Sequence, residues 1–208
     1  MRPVTRRQAD HHASRSAATA AQVMSALERL LNSREAFSEI SVQRILEEAG
    51  VSRATFYAHF QSKSDVLVRL TNDLRESLLS LVKQWVPAAG PEELAQLFEE
   101  VIGIHRAHHS ALTAVREAAA YDPVVNDFYT ADLEGFDEST LRHLLSEQAA
   151  GLAPADLDAV SASRIIVWGG AQAIAHHISV DAGGGDAAFA RELAQIWWHG
   201  AYRRPCEP

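Results

Sequence analysis

The sequence predicts an all-α protein, and three observations predict it. Apolar residues recur at the i, i+4, i+7, i+8 spacing of one helix face, first at Val23, Leu27, Leu30 and Leu31. No Asn-Gly or Asp-Gly pair is present and no sustained alternation of apolar and polar residues occurs, so hairpins and half-buried strands find no support. Breakers fall at helix-length intervals: Pro87-Ala-Ala-Gly90-Pro91, Asp122-Pro123, Gly151-Leu-Ala-Pro154 and Gly183-Gly-Gly185. With 208 residues, 47% hydrophobic and 22% charged, the chain fits one large domain or two small ones sharing a core.

In order, residues 1–15 are polar, carry Arg2, Arg6, Arg7 and Arg15, and are expected to be flexible. A helix follows from about Ser16 to Arg34. Two short helices are expected near 42–48 and 53–59. A longer one starts after Ser62, where Ser62 and Asp65 make the S-x-x-D pattern of a capping box, and runs through Val66, Leu70, Leu74 and Leu78 to Trp85. The breakers then cut helices near 92–109, 111–119, 124–149, 155–180 and 186–203, about nine in all. The expected division is residues 1–69 and residues 70–208.

Charge divides the chain in the same place. Residues 1–69 hold ten Lys and Arg against seven Asp and Glu, a balance of +3, while residues 70–208 hold nine against twenty, a balance of −11. A basic third suits phosphates, and an acidic remainder repels them. A membrane span needs roughly 18 to 20 consecutive apolar residues, and the longest uncharged stretch, Ile165–Ile178, is interrupted by Gly169, Gly170, Gln172, His176 and His177. Met1–Asp10 lacks the apolar centre of a secretory signal. Cys206 is the only cysteine, so an intrachain disulfide is excluded, as suits a reducing cytoplasm.

The informative stretch is Ile40–Leu67. Ser41 can cap the first short helix, whose inner face is Val42, Ile45, Leu46 and Ala49. Gly50 stands where that helix must end, Val51 plugs the corner, and Ser52 can cap the second. Two short helices joined by a tight glycine-containing turn form a helix-turn-helix. On the second helix Phe56 and Phe60 share an inward face. Arg53 with Tyr57, and Thr55 with His59, make outward rows, and no acidic residue occurs between Val51 and Ser64. A surface for a polyanion excludes acids in this way. Lys63 follows at the start of the long helix, where an ammonium and free N–H groups can meet a phosphate.

These residues resemble the TetR family of transcriptional regulators. The pattern stands as Ser41-Val42, Ile45, Ala49-Gly50-Val51-Ser52, Thr55-Phe56-Tyr57, His59-Phe60, Ser62-Lys63 and Leu67, across residues 20–70. Together with Leu193-Ala-Gln-Ile196-Trp197, it is nearest to the family's EthR-type branch. The resemblance implies an N-terminal three-helix DNA-binding domain and a C-terminal helical domain for effector binding and dimerisation. It implies phosphate contacts from Ser41, Tyr57, His59 and Lys63, and contacts to bases or flanking backbone from Arg53, Thr55, Gln43, Arg44 and Ser52.

The acidic remainder should then hold a dimer face and a cavity. Phe189, Leu193, Ile196, Trp197 and Gly200 make one helical stripe, and Gly169, Gly170, Ala171, Ala173 and Ala175 would let a partner helix approach closely; both would serve equally as monomer core. Trp85, Phe98, Phe128, Tyr129, Phe136 and Trp168 are the cavity candidates, and each would serve equally in plain core. The resulting expectation is a homodimeric repressor in the cytoplasm that binds a palindromic double-stranded DNA operator. A small apolar or amphipathic effector releases it, and no cofactor, metal or membrane is involved. Two rivals stand beside it. One is an architectural DNA-binding protein without a ligand. The other is a metal enzyme built on His105 and His109, which lack the Glu of an H-E-x-x-H motif.

Overall fold

In the computed structural model, residues 4–204 are described in backbone and residues 15–204 in side chains. Among them every regular element is helical. The elements are α1 (Val4–Asn32), α2 (Val42–Ala49), α3 (Arg53–Tyr57), α4 (Lys63–Gln84), a 3-10 turn (Pro87–Ala89), α5 (Pro91–Ala107), α6 (His109–Ala119), α7 (Pro123–Ala149), α8 (Ala159–Val180) and α9 (Asp186–Gln195). A π-helical turn (Ile196–Ala201) continues α9. No helix of the described residues is long and apolar enough to cross a membrane.

Three boundaries differ from expectation. The helix expected from Ser16 begins at Val4, so the segment expected to be flexible is helical from there. Alanines at 13, 17, 18, 20 and 21 favour helix over coil. Arg2 and Cys206 lie outside the described residues, as do the side chains of Arg6 and Arg7. The helix expected from 155 begins at Ala159, because Asp158 caps it by accepting from the Ser161 N–H at 3.0 Å. The last helix changes to π winding at Ile196, which shifts the faces its residues occupy.

The chain forms two compact units. The first runs to Asp73 and takes in Ser110–Tyr129; the second runs from Leu74 to His109 and resumes at Thr130. The three cuts fall inside α4, at the first residue of α6 and inside α7. The expected division at residue 70 therefore lies close to one edge, but residues 110–129 go with the N-terminal unit. They do so because Ala114, Ala118 and Val125 are buried in one core with Leu27, Phe56 and Leu67.

Within the first unit, α1 braces α2. Gln22 donates to the Ala49 carbonyl at 2.7 Å, and Arg29 pairs with Glu48 at 2.7 Å. In the second unit α5 packs along α9, and a charged knot ties α5 to the loop between α8 and α9. Arg106 grips Asp186 with Nε at 2.9 Å and Nη2 at 2.6 Å, and donates to the Asp181 carbonyl at 2.8 Å. His177 makes a further 2.8 Å contact with Asp186 while its ring stacks on Phe189. Asp186 is held below its ordinary carboxyl pKa, first by Arg106 and then by His177.

Gly50 is the one turn residue of the helix-turn-helix with left-handed backbone, at φ +65°, and its N–H donates to the Leu46 carbonyl. A Cβ there would meet nothing, so only backbone strain opposes a side chain. That strain costs roughly 1–2 kcal/mol for an ordinary L-residue. Gly50→Ala is expected to lower stability in urea unfolding by about 1 kcal/mol, and Gly50→Asn by less, because Asn tolerates this conformation.

Candidate nucleic-acid interface

The interface is built from two capped helices. The Ser41 hydroxyl accepts from the Arg44 N–H at 3.1 Å, and the Ser52 hydroxyl from the Thr55 N–H at 3.1 Å. Ser52 and Thr55 also share a hydroxyl contact at 2.7 Å. Phe56 and Phe60 are buried with ring centroids 5.7 Å apart, which fixes the rotation of α3. What remains outside on α3 is Ser52, Arg53, Ala54 and Tyr57, with Ala58 and Gln61 beyond it. Tyr57 is 52% exposed and braced edge-on by Phe56. This surface carries a guanidinium, a phenol and two methyl groups, and no acid.

The remaining site residues divide by what they already hold. On α2, Gln43 donates to Glu47 at 3.0 Å and Arg44 pairs with Glu35 at 3.2 Å; both are exposed and on the outer side. The His59 ring is half-buried beside Phe60, and its carbonyl accepts from Arg69 at 2.9 Å. Arg69, whose guanidinium lies over the Phe60 ring at 5.2 Å, is an exposed cation that sequence reasoning missed. Its position one turn into a long helix gave no signal for it.

Lys63 departs most from expectation. Its ammonium donates to the carbonyls of Phe37 at 2.7 Å, Ser38 at 3.3 Å and Ile40 at 2.7 Å, and sits 4.6 Å above the Phe37 ring. An ammonium has three N–H donors, so all are committed. Lys63 thus clamps the loop between α1 and α2. Burial pushes its pKa below the ordinary lysine value, and the Asp122 charge opposes that.

The next residue makes a second tie that the sequence did not announce. Ser64, buried, donates to Asp122 Oδ2 at 2.5 Å. The other carboxyl oxygen of Asp122 accepts from the Val124 and Val125 N–H groups at 3.0 and 3.3 Å and so caps α7. The Ser64 hydrogen bond, ahead of these backbone bonds and the Lys63 charge, holds the Asp122 carboxyl below its ordinary pKa.

The cavity candidates divide between the cores of the two units. Phe128 and Tyr129 pack on the first unit's core. Trp85 and Phe98 are buried in the second unit's core, Phe136 packs against that core, and Trp168 is half-buried. The dimer-face candidates also divide. Leu193 is buried, Phe189 is stacked on His177, and Trp197 packs edge-on against Phe98 at 5.0 Å and lies over Gly170. These three serve their own subunit. Ile196 and Gly169 are exposed and Ala173 is half-buried, and Ile165, 70% exposed, joins them one turn before Gly169. Of the histidines, His105 Nδ1 contacts the carbonyl of Val101, in its own helix, at 2.8 Å. His177, Asp181 and Asp186 stand close enough to share an ion, but the Arg106 guanidinium already lies among them.

The described fold and its capped pair of helices define a helix-turn-helix protein with an α-helical second unit. Residues 24–70 match the family described as bacterial regulatory proteins, tetR family. It is similar to the HTH-type transcriptional regulator EthR of Mycolicibacterium smegmatis, 27% identical over 143 residues, which are 67% of this chain and 65% of that protein. It is also similar to the nucleoid occlusion factor SlmA of Vibrio cholerae, 33% identical over 63 residues, 30% of this chain and 32% of that one. The alignments thus span just under two thirds of the first relative and about a third of the second. In fold it resembles Salmonella enterica GusR, with a TM-score of 0.72 at 19% identity, covering 89% of this chain and 96% of that one. It resembles FadR of Bacillus subtilis, solved in complex with stearoyl-CoA, with a TM-score of 0.66 at 19% identity, covering 85% and 96%.

The different tasks of Lys63 and Arg53 are separable by stability alone. Hydrogen bonds to a charged group are worth about 1.5–3 kcal/mol. Lys63→Met is therefore expected to lower folding stability in denaturant titration by an amount in that range. Arg53→Ala, exposed and with no ion pair among the described residues, is expected to stay within about 0.5 kcal/mol of the parent.

Proposed function

We propose that this chain is a ligand-responsive transcriptional regulator, a repressor that binds a palindromic operator as a homodimer in the cytoplasm and leaves it when a small apolar or amphipathic effector binds. The observation that carries the DNA-binding part is the acid-free outer face of α3. Arg53 and Tyr57 are exposed there, and the two inward phenylalanines and the Ser52 cap hold the helix in one orientation. Arg53 has the reach and the free donors to bind a guanine edge or a phosphate, and Tyr57 offers a hydroxyl. Ser41, Ser52 and Thr55 lie beside them, and Gln43 and Arg44 flank them from α2.

Dimerisation is supported by apolar side chains left outside the second unit, Ile165 and Ile196, with Gly169 and Gly200 between them on the same two elements. Small residues beside exposed isoleucines let two helices pack closely against copies of themselves. The effector part is supported by the aromatic content of the second unit and by the FadR structure, where a relative in fold holds stearoyl-CoA. Since α4 runs from one unit into the other, an effector that changes its tilt would change the separation of two reading helices. Coupling of this kind is typically worth about 1–3 kcal/mol, or roughly 5- to 150-fold in affinity.

Selection from random duplexes is expected to return a two-fold symmetric site with half-sites about 34 Å apart or a related spacing. Only asymmetric single sites would defeat the dimeric-operator reading. Arg53→Ala is expected to cost about 1–3 kcal/mol of operator affinity at constant salt, with the circular dichroism spectrum unchanged.

Ile165→Glu is expected to yield monomers in sedimentation and to lose operator binding, because the charge would be buried in the pair. Trp197→Glu is instead expected to unfold the second unit, since Trp197 packs inside it.

A further inference from the structure

Two hydrogen-bond donors buried in the second unit have no partner among the described residues. They are the indole Nε1 of Trp85 and the phenol oxygen of Tyr202. Trp85 is 8% exposed and Tyr202 is fully buried. Roughly 90% or more of buried polar groups are paired in folded proteins. Three buried hydroxyls elsewhere among the described residues obey that rule: Ser64 donates to Asp122, Thr71 to Leu67 and Ser163 to Val160. Burial alone pushes the Tyr202 phenol pKa upward, with no hydrogen bond contributing. Elsewhere, Arg75 Nε and Asp132 Oδ1 form an ion pair at 3.5 Å, and the Arg204 guanidinium is paired with Glu147.

The two donors belong to one aromatic cluster. The Trp85 ring lies 5.7 Å from the Tyr202 ring, nearly perpendicular, and 5.9 Å from the His143 ring. Trp198 closes the far side of Tyr202 at 6.1 Å. The guanidinium that lies over Trp198 is already engaged. Arg204 is committed to the Glu147 carboxylate, to the Leu152 carbonyl and to the face of Trp198. Burial, and secondarily Arg142, hold the His143 imidazole below its ordinary pKa, which favours the neutral ring near neutral pH. A carboxylate or phosphate brought here would lose its hydration beside a guanidinium already paired with Glu147. A neutral oxygen loses far less, and meets donors that have already been stripped of water.

We propose that Trp85 and Tyr202 form the polar end of a ligand subsite in the second unit, which takes the neutral carbonyl or ether oxygen of an otherwise apolar molecule. This rests on the effector reading above and names the class of molecule it concerns. The apolar remainder of the ligand would lie along the core residues around Trp85. Trp85 can only donate and the Tyr202 hydroxyl can donate as well, so an accepting ligand oxygen satisfies both.

Tyr202→Phe keeps the ring and removes the hydroxyl. If that hydroxyl is unpaired in the free protein, the variant melts at a higher temperature than the parent, because an unsatisfied buried group has been removed. A lower melting temperature would show that the hydroxyl has a structural partner and would overturn the proposal. The second measurement is binding of a homologous series of 2-alkanones, with alkanes and carboxylates of matched length. The parent is expected to prefer the alkanone over both. Tyr202→Phe and Trp85→Phe are each expected to bind the alkanone about tenfold more weakly and the alkane unchanged. If alkanone and alkane respond alike to both substitutions, or the carboxylate binds the parent as tightly as the alkanone, the subsite assignment falls while the effector reading stands. If no member of the series binds the parent protein or shifts its melting, the effector reading itself fails.

Discussion

The ammonium of Lys63 sets the geometry of the first unit. It stands at the first position of α4, directly after the helix that carries Arg53 and Tyr57, and it reaches back across 23 to 26 residues to the carbonyls that precede α2. Those carbonyls belong to an irregular loop and would otherwise lack partners inside the protein. One charged group satisfies three of them and closes the helix-turn-helix against α1. A helix of five residues cannot persist alone, since its nucleation is unfavourable. α3 therefore keeps its shape and aim only because its two ends are tied, by Ser52 before it and by Lys63 and Ser64 after it.

The consequence is a division of labour among polar groups that look alike in sequence. Ser41, Ser52 and Ser62 use their hydroxyls on backbone N–H groups at helix starts. Gln43 and Arg44 are engaged by neighbouring glutamates. Arg53 and Tyr57 are the long polar side chains that α3 leaves to solvent, on a surface from which acids are absent. The Ser64–Asp122 bond then links the start of α4 to the cap of α7. This places residues 110–129 in the same unit as the helix-turn-helix.

In the second unit the same economy appears with a different result. Asp186 binds Arg106 and His177 together, and the ring of His177 stacks on Phe189, so a residue expected on an outer stripe is half-buried against its own unit. Trp197 turns in towards Phe98 and Gly170. The stripe legible as Phe189, Leu193, Ile196, Trp197 is thus two faces. Its inner members build the unit, while Ile196 stays outside with Ile165, where a second copy could cover them. Against this background of satisfied charges, the unpaired Trp85 and Tyr202 donors stand out.

The helical class, eight helix positions to within about one turn, the caps at Ser41 and Ser52, the left-handed turn at Gly50 and the inward pair Phe56 and Phe60 could all be read from residue order. Each depends on contacts within a few positions of itself: hydroxyl to N–H, glycine to its own backbone, side chains one turn apart. The tasks of Lys63, Asp122, Trp197 and Phe128 could not. Lys63 resembles a phosphate ligand until the loop 23 residues earlier is folded beneath it, and Trp197 resembles an interface anchor until Phe98 is packed against it. Phe128 and Trp85 read alike as aromatic cavity candidates, and the core of each unit takes one of them. Periodicity reports that a face is apolar, but which surface covers that face depends on contacts between residues far apart in the chain, and only the tertiary structure supplies those.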